Sequence, residues 1–154
     1  MDLIVQKFGG TSLQGEQSRH HVLRHIVRER TAGRSLVVVV SAMGRRGEPY
    51  ATDSLLELVR VNGNALPARE RDLLLSCGEI ISAATLCSLL SAEGIPSVAL
   101  SGGQAGIVTD ARFGSARIVR IQTDTIRQHL REGRVVIVAG LAITVLPIAA
   151  LPVR

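Results

Sequence analysis

Leu36-Val37-Val38-Val39-Val40-Ser41 is an unbroken apolar run, β-branched after its first residue, that stops at a hydroxyl. Such a run reads as a parallel strand covered on both faces, and Val135-Val136-Ile137-Val138-Ala139 repeats the pattern near the other end. Upstream, Glu16 to Ala32 puts Val22, Leu23, Ile26 and Val27 on one helical face, and Gly33 supplies the stop. Leu3 to Lys7 is a short apolar strand, followed by the turn Phe8-Gly9-Gly10-Thr11-Ser12. Downstream of Ser41 a polar loop ends near Thr52, Asp53 to Val61 reads as a short helix, and Ala68 to Glu93 as a long one closed by Gly94. Ser97 to Leu100 is a strand that enters the glycine-rich turn Gly102 to Gly106; Val119 to Gln122 and Val135 to Ala139 are further strands around a helix at Asp124 to Glu132. Crossovers of helix length join parallel strands, so the alternation predicts an α/β fold: a three-layer α/β/α sandwich with a mainly parallel sheet. Ligands of such sheets bind beyond the carboxyl ends of the strands, where the loops at Gly9, Ser41 and Gly102 fall.

Composition narrows the function classes. A chain of 154 residues, 46% apolar, supports one core and is too short for two full domains. The net charge of +5 invites a nucleic-acid reading, but Phe8, Tyr50 and Phe113 are the whole aromatic complement, which leaves little to stack on bases. No nucleic-acid partner is expected. Among the 18 basic residues only Lys7 is lysine, which suggests a site that needs a compact ammonium rather than a forked guanidinium. Cys77 and Cys87, ten residues apart on one helix, lie about 15 Å apart and cannot bridge. A reducing, cytoplasmic setting is expected. Val135 to Val153 is uncharged and long enough to span a bilayer, but its β-branched start and Pro147 and Pro152 argue against a membrane helix.

Lys7-Phe8-Gly9-Gly10-Thr11-Ser12 leaves a strand and enters a loop before a helix, where bare N–H groups and one ammonium can converge on an anion such as phosphate. Neither common phosphate-loop pattern occurs in the chain, and by itself the hexapeptide reads more readily as a tight turn with a surface lysine. Glu79, within the long helix, reads on periodicity as a solvated glutamate. Ser41 and Thr52 offer hydroxyls to a carboxylate or phosphate, or cap the next helix. His21 and His25 share a helix face but lack a third metal ligand, and Arg45-Arg46 reads as a solvated basic loop.

Five further motifs stand in order: Val38-Val39-Val40-Ser41-Ala42-Met43-Gly44, Tyr50-Ala51-Thr52-Asp53, Leu75-Ser76-Cys77-Gly78-Glu79, Ser101-Gly102-Gly103-Gln104-Ala105-Gly106 and Gly114-Ser115-Ala116-Arg117-Ile118. With the Lys7 hexapeptide they resemble the aspartokinases of the amino-acid kinase family, from about Ile4 to Gly140. Gly44 to Asp53 is similar to the diaminopimelate-sensitive type. The resemblance implies transfer of the γ-phosphoryl group of ATP, with Mg2+, to the side-chain carboxylate of L-aspartate. It implies Lys7 as the catalytic lysine, Lys7, Gly9, Gly10 and Ser41 at the nucleotide phosphates, and Thr52 and Glu79 at the aspartate. Glutamate, N-acetylglutamate and uridylate kinases share a glycine-rich site after the first strand and form the alternative, together with a noncatalytic partner subunit.

The resemblance divides the chain into residues 1–140, the N-terminal portion of a kinase domain, and residues 141–154, a divergent apolar tail. Aspartokinases continue past the position of Gly140 with Phe-Gln-Gly and then Arg-Gly-Gly-Ser-Asp; this chain reads Leu141 to Arg154 instead. The expectation is either a short form that pairs with a longer kinase chain or assembles with itself, or a reading frame broken after Gly140. Either leaves apolar surface uncovered and predicts poor solubility.

Overall fold

The computed structural model describes residues 2–60 and 66–140. The elements run β1 (Leu3–Phe8), a single 3-10 turn (Gly10–Ser12), α1 (Gly15–Thr31), β2 (Ser35–Val40), α2 (Thr52–Leu58), α3 (Ala68–Ala92), β3 (Ser97–Leu100), β4 (Ile107–Thr109), β5 (Ile118–Ile121), α4 (Asp124–Arg131) and β6 (Val135–Ala139). Four strands form one parallel sheet in the order β1-β2-β6-β3. Val37 lies beside Val136, and Val138 beside Leu100. Residues in register share a face, so the alternation within each strand divides the core in two.

Leu36, Val38, Val40, Val135 and Ile137 face Val22, Leu23 and Ile26 of α1 and Ala83, Leu86 and Leu90 of α3. Val37, Val136 and Val138 face Leu100 and Leu130, with Ile126 of α4 packed alongside. Every residue of β6 is buried, which is why the central strands read as continuous apolar runs rather than alternating ones. Each fully buried aliphatic side chain contributes about 1.5–3 kcal/mol, so the two clusters carry the fold. Helices on both faces of a parallel sheet make the three-layer α/β/α sandwich that the sequence predicts.

Two expectations change. The strand expected at Val119 to Gln122 does not extend the parallel sheet: β5 pairs antiparallel with β4 in a separate two-stranded hairpin. Ile118, Val119 and Ile121 are exposed, so here the β-branched signal marks a ribbon and not a core strand. Phe8 belongs to β1 rather than to the turn.

β1 stands at the edge of the sheet, with Leu3 and Val5 exposed on the α4-side face and Lys7 next in that row. α3 is about 37 Å long, roughly twice the span of the strands it covers. It passes the length and composition test for a membrane span. Its Asp72, Glu79, Ala83, Leu86 and Leu90 nevertheless form one buried stripe at helical spacing. The stripe is apolar over the sheet and acidic where the helix runs past the carboxyl ends of the strands. Of the stretch from Val135 to Val153, Val135–Ala139 is buried strand, and residues 141–153 lie outside the described residues together with the rest of the tail.

Candidate active site

The loop after β1 carries the cationic pole. Lys7 lies beside Val39 in register, and a Cβ built on Gly9 would sit 3.7 Å from Lys7 Nζ, so the ammonium folds back over the glycine backbone. Ser12 and Leu13 donate their N–H groups to the Gly9 and Gly10 carbonyls at 3.0 and 3.2 Å. The Gly9, Gly10 and Thr11 amides take no backbone acceptor among the described residues. Bare amides and one ammonium around a glycine turn suit an anion with several oxygens.

Gly10 is fixed by close approach. A Cβ there would lie 2.5 Å from the Ala42 carbonyl oxygen and 3.1 Å from that of Gly44. Gly44 N–H donates to Gly10 O at 3.0 Å, and Ser41 N–H to Phe8 O at 3.2 Å, so the loops after β1 and β2 are joined backbone to backbone. Glu48 braces the second loop, its carboxylate accepting Arg45 N–H at 2.9 Å and the Gln14 side-chain amide at 3.0 Å.

The same loop meets α3. A Cβ on Gly78 would lie 2.9 Å from Leu55 Cδ1, 3.0 Å from Ala42 Cβ and 3.1 Å from Tyr50 O. Ala42 therefore touches both the Lys7 loop and the helix turn that carries Glu79. Glu79 is 6% exposed, which removes the solvated-glutamate reading.

Thr52 is the first residue of α2 and is exposed. Ala51 holds the N-cap with no side-chain bond, so neither Thr52 nor Ser41 caps that helix. Ser54, in the same turn, keeps its Oγ buried without a hydrogen-bond partner among the described residues. Ser41 is half-buried at the start of the Ala42 loop. His21 and His25 are exposed on α1, and no group of three metal-ligating side chains occurs among the described residues. Arg46 pairs with Glu57 at 3.2 Å, a surface ion pair, and Arg45 is exposed.

Sequence reasoning missed Asp72. This carboxylate, 7% exposed, accepts Gly114 N–H at 2.6 Å. The signal was available: carried back two turns from Glu79, the buried stripe of α3 arrives at Asp72.

A parallel sheet between helix layers, with a glycine loop and a buried glutamate towards the carboxyl ends of its strands, defines the class, a three-layer α/β protein. The chain belongs to the amino acid kinase family, which it matches over residues 2–149. It is 46% identical over 140 residues to Aspartokinase 1 of Bacillus subtilis (strain 168), covering 91% of this chain and 35% of that protein. It is also 46% identical over 140 residues to the aspartokinase of Geobacillus stearothermophilus, covering 91% and 33%. Among solved structures it is similar to the aspartate kinase from Synechocystis, with a TM-score of 0.70 and 40% identity over 90% of this chain and 22% of that one. The chain thus spans about a third of the length of the curated relatives it matches.

Proposed function

We propose that this chain forms the amino-terminal portion of an aspartokinase, within residues 1–140, and serves ATP-dependent phosphorylation of the side-chain carboxylate of L-aspartate to 4-phospho-L-aspartate. The observation that carries the reading is the shared contact through Ala42, which seats the Lys7 loop and the Glu79 turn of α3 against one segment. Aspartokinase names on relatives 46% identical favour aspartate over glutamate, N-acetylglutamate or uridylate.

The attacking carboxylate is already ionised, so no general base is required; the obstacle is bringing one anion against another. At an effective dielectric constant of 20, two like charges 4 Å apart repel by about 4 kcal/mol. Lys7 Nζ supplies the opposite charge, and the Gly9 and Gly10 amides add fixed dipoles that need no reorganisation. Ser41 offers a hydroxyl to the nucleotide phosphates, and Thr52 one to the substrate. Glu79, buried on the turn of α3 that meets the Ala42 loop, orients the substrate ammonium. ATP with Mg2+ supplies the phosphoryl group and neutralises part of its charge; the Lys7 loop fits its phosphates because open amides and the ammonium face one glycine turn. In this reading the protein works in the cytoplasm, as a homo-oligomer or paired with a longer kinase chain.

The test is an assay with ATP, magnesium and L-aspartate in which hydroxylamine traps the acyl phosphate. This chain is compared alone and supplemented with the remaining part of an aspartokinase catalytic domain. Aspartate-dependent hydroxamate in the supplemented sample, absent with L-glutamate, supports the reading. Calorimetry that shows glutamate or uridine monophosphate bound as tightly as aspartate overturns it.

A further inference from the structure

We propose that Asp72 is a positioning residue: its carboxylate latches the tip of the β4–β5 hairpin onto α3 two turns before Glu79, so that the hairpin closes the outer side of the amino-acid cleft. The inference deepens the function proposed above and rests on it.

The hairpin changes sides of the sheet. Its root packs on the α4 side, where Ala105 is fully buried and Ile107 lies against the second core cluster. Its tip reaches α3 on the opposite side, where Asp72 Oδ2 accepts Gly114 N–H at 2.6 Å across 42 positions of sequence. The ribbon leaves the carboxyl end of β3 and finishes against the part of α3 that runs past the strands, so it crosses from one side of the sheet to the other at the end where Glu79 lies. The tip is also rigid: Asp110 Oδ1 accepts the N–H groups of Arg112 at 3.3 Å and Arg117 at 3.0 Å. Gly114 has φ +80°, and Arg71 Nη2 would lie 2.5 Å from a Cβ built there, so α3 meets the tip with two consecutive side chains. A charge-assisted bond from a buried carboxylate to a preformed tip fixes the whole ribbon and not one residue.

The test uses this chain, with L-aspartate affinity from NMR titration and amide exchange read at Gly114, β2 and β6. Loss of the latch in Asp72→Ala should speed Gly114 exchange and weaken aspartate binding by about tenfold each, the scale of one charged hydrogen bond. Asp72→Asn keeps a carbonyl acceptor and should fall between wild type and Asp72→Ala. Gly114→Ala keeps the N–H but strains the φ of +80° that presents it to Asp72, and should weaken binding towards the Asp72→Ala level, with β2 and β6 amides as slow as in wild type. If Asp72→Ala fails to fold, Asp72→Asn and Gly114→Ala decide. Faster Gly114 exchange with unchanged aspartate affinity overturns the latch and leaves the function standing. A wild-type chain that takes no aspartate even when supplemented with the remaining part of an aspartokinase catalytic domain overturns the function, and the latch falls with it.

Discussion

Replacing Gly78 by alanine tests whether the turn before Glu79 is set by contact with the Ala42 loop. In the middle of an unconstrained helix, Gly→Ala stabilises by about 0.8–1 kcal/mol. Here the added methyl would meet Leu55 Cδ1 at 2.9 Å, Ala42 Cβ at 3.0 Å and the Tyr50 carbonyl oxygen at 3.1 Å. Three neighbours, one on α2 and two near opposite ends of the β2–α2 loop, mean that yielding towards one tightens another, and such overpacking costs about 1–3 kcal/mol. The contact term exceeds propensity, so Gly78→Ala should lose about 1 kcal/mol net, which at a slope near 2 kcal/mol per molar lowers the urea midpoint by about 0.5 M. Aspartate binding should weaken as well, because relief displaces Glu79 from the loop. Adding Leu55→Ala to the Gly78→Ala protein should recover part of the loss, a coupling that a double-mutant cycle reads directly. A urea midpoint that rises by the ordinary helical increment would refute the packing argument.

The other expectations can be checked separately. Lys7→Arg keeps the charge but not the compact ammonium, and should lower kcat in the supplemented kinase assay by at least about 100-fold; a near wild-type rate removes Lys7 from the chemistry. Gly10→Ala drives a methyl to 2.5 Å from a backbone carbonyl with no flexible side chain to yield, and should cost about 1–3 kcal/mol by thermal unfolding; an unchanged melting temperature would show that the two loops separate freely. Leu86→Ala empties a fully buried site and should cost about 2–5 kcal/mol in urea. Glu29 is buried where α1 ends, hydrogen-bonded to Arg28 at 2.8 Å and to Arg34, and these bonds hold its carboxyl below the usual value of 4.5. A depressed folded pKa adds stability above the unfolded value that is lost as pH falls through the folded one. Wild type should therefore lose stability below about pH 4.5 faster than Glu29→Gln; parallel acid curves for the two proteins would exclude the pair as a source of acid sensitivity.

The parallel core was legible because burial on both faces leaves a plain mark, the uninterrupted Val-rich runs of β2 and β6. The hairpin was not, since the same β-branched residues at Ile118, Val119 and Ile121 serve an exposed ribbon, and composition does not record which strand takes which neighbour. Lys7, Gly9 and Gly10 could be read from local order: a strand, a glycine turn and a lone lysine within four positions. Glu79 could not be separated from a surface glutamate by periodicity alone, because the loop that meets its turn of α3 at Gly78 comes from Ala42 and Tyr50, more than 25 positions away in sequence. Gly78 and Asp72 follow the same logic. Their partners, Ala42 and Gly114, are non-local, and only the helical spacing back from Leu86 gave a local hint.

α3 behaves mechanically as a propped beam. Its bolted end is the Leu86–Leu90 segment in the first core cluster, and the arm that reaches back through Glu79 is stayed at Gly78 by the Ala42 loop and at Asp72 by Gly114. From Leu86 to Asp72 the arm is about 21 Å long, so a tilt of only 3° at the bolt sweeps its tip by about 1 Å. A misplacement of 1 Å in a reacting site can cost about 100-fold in rate. Substitutions under the sheet, far from any ligand, are thereby amplified into errors of aim.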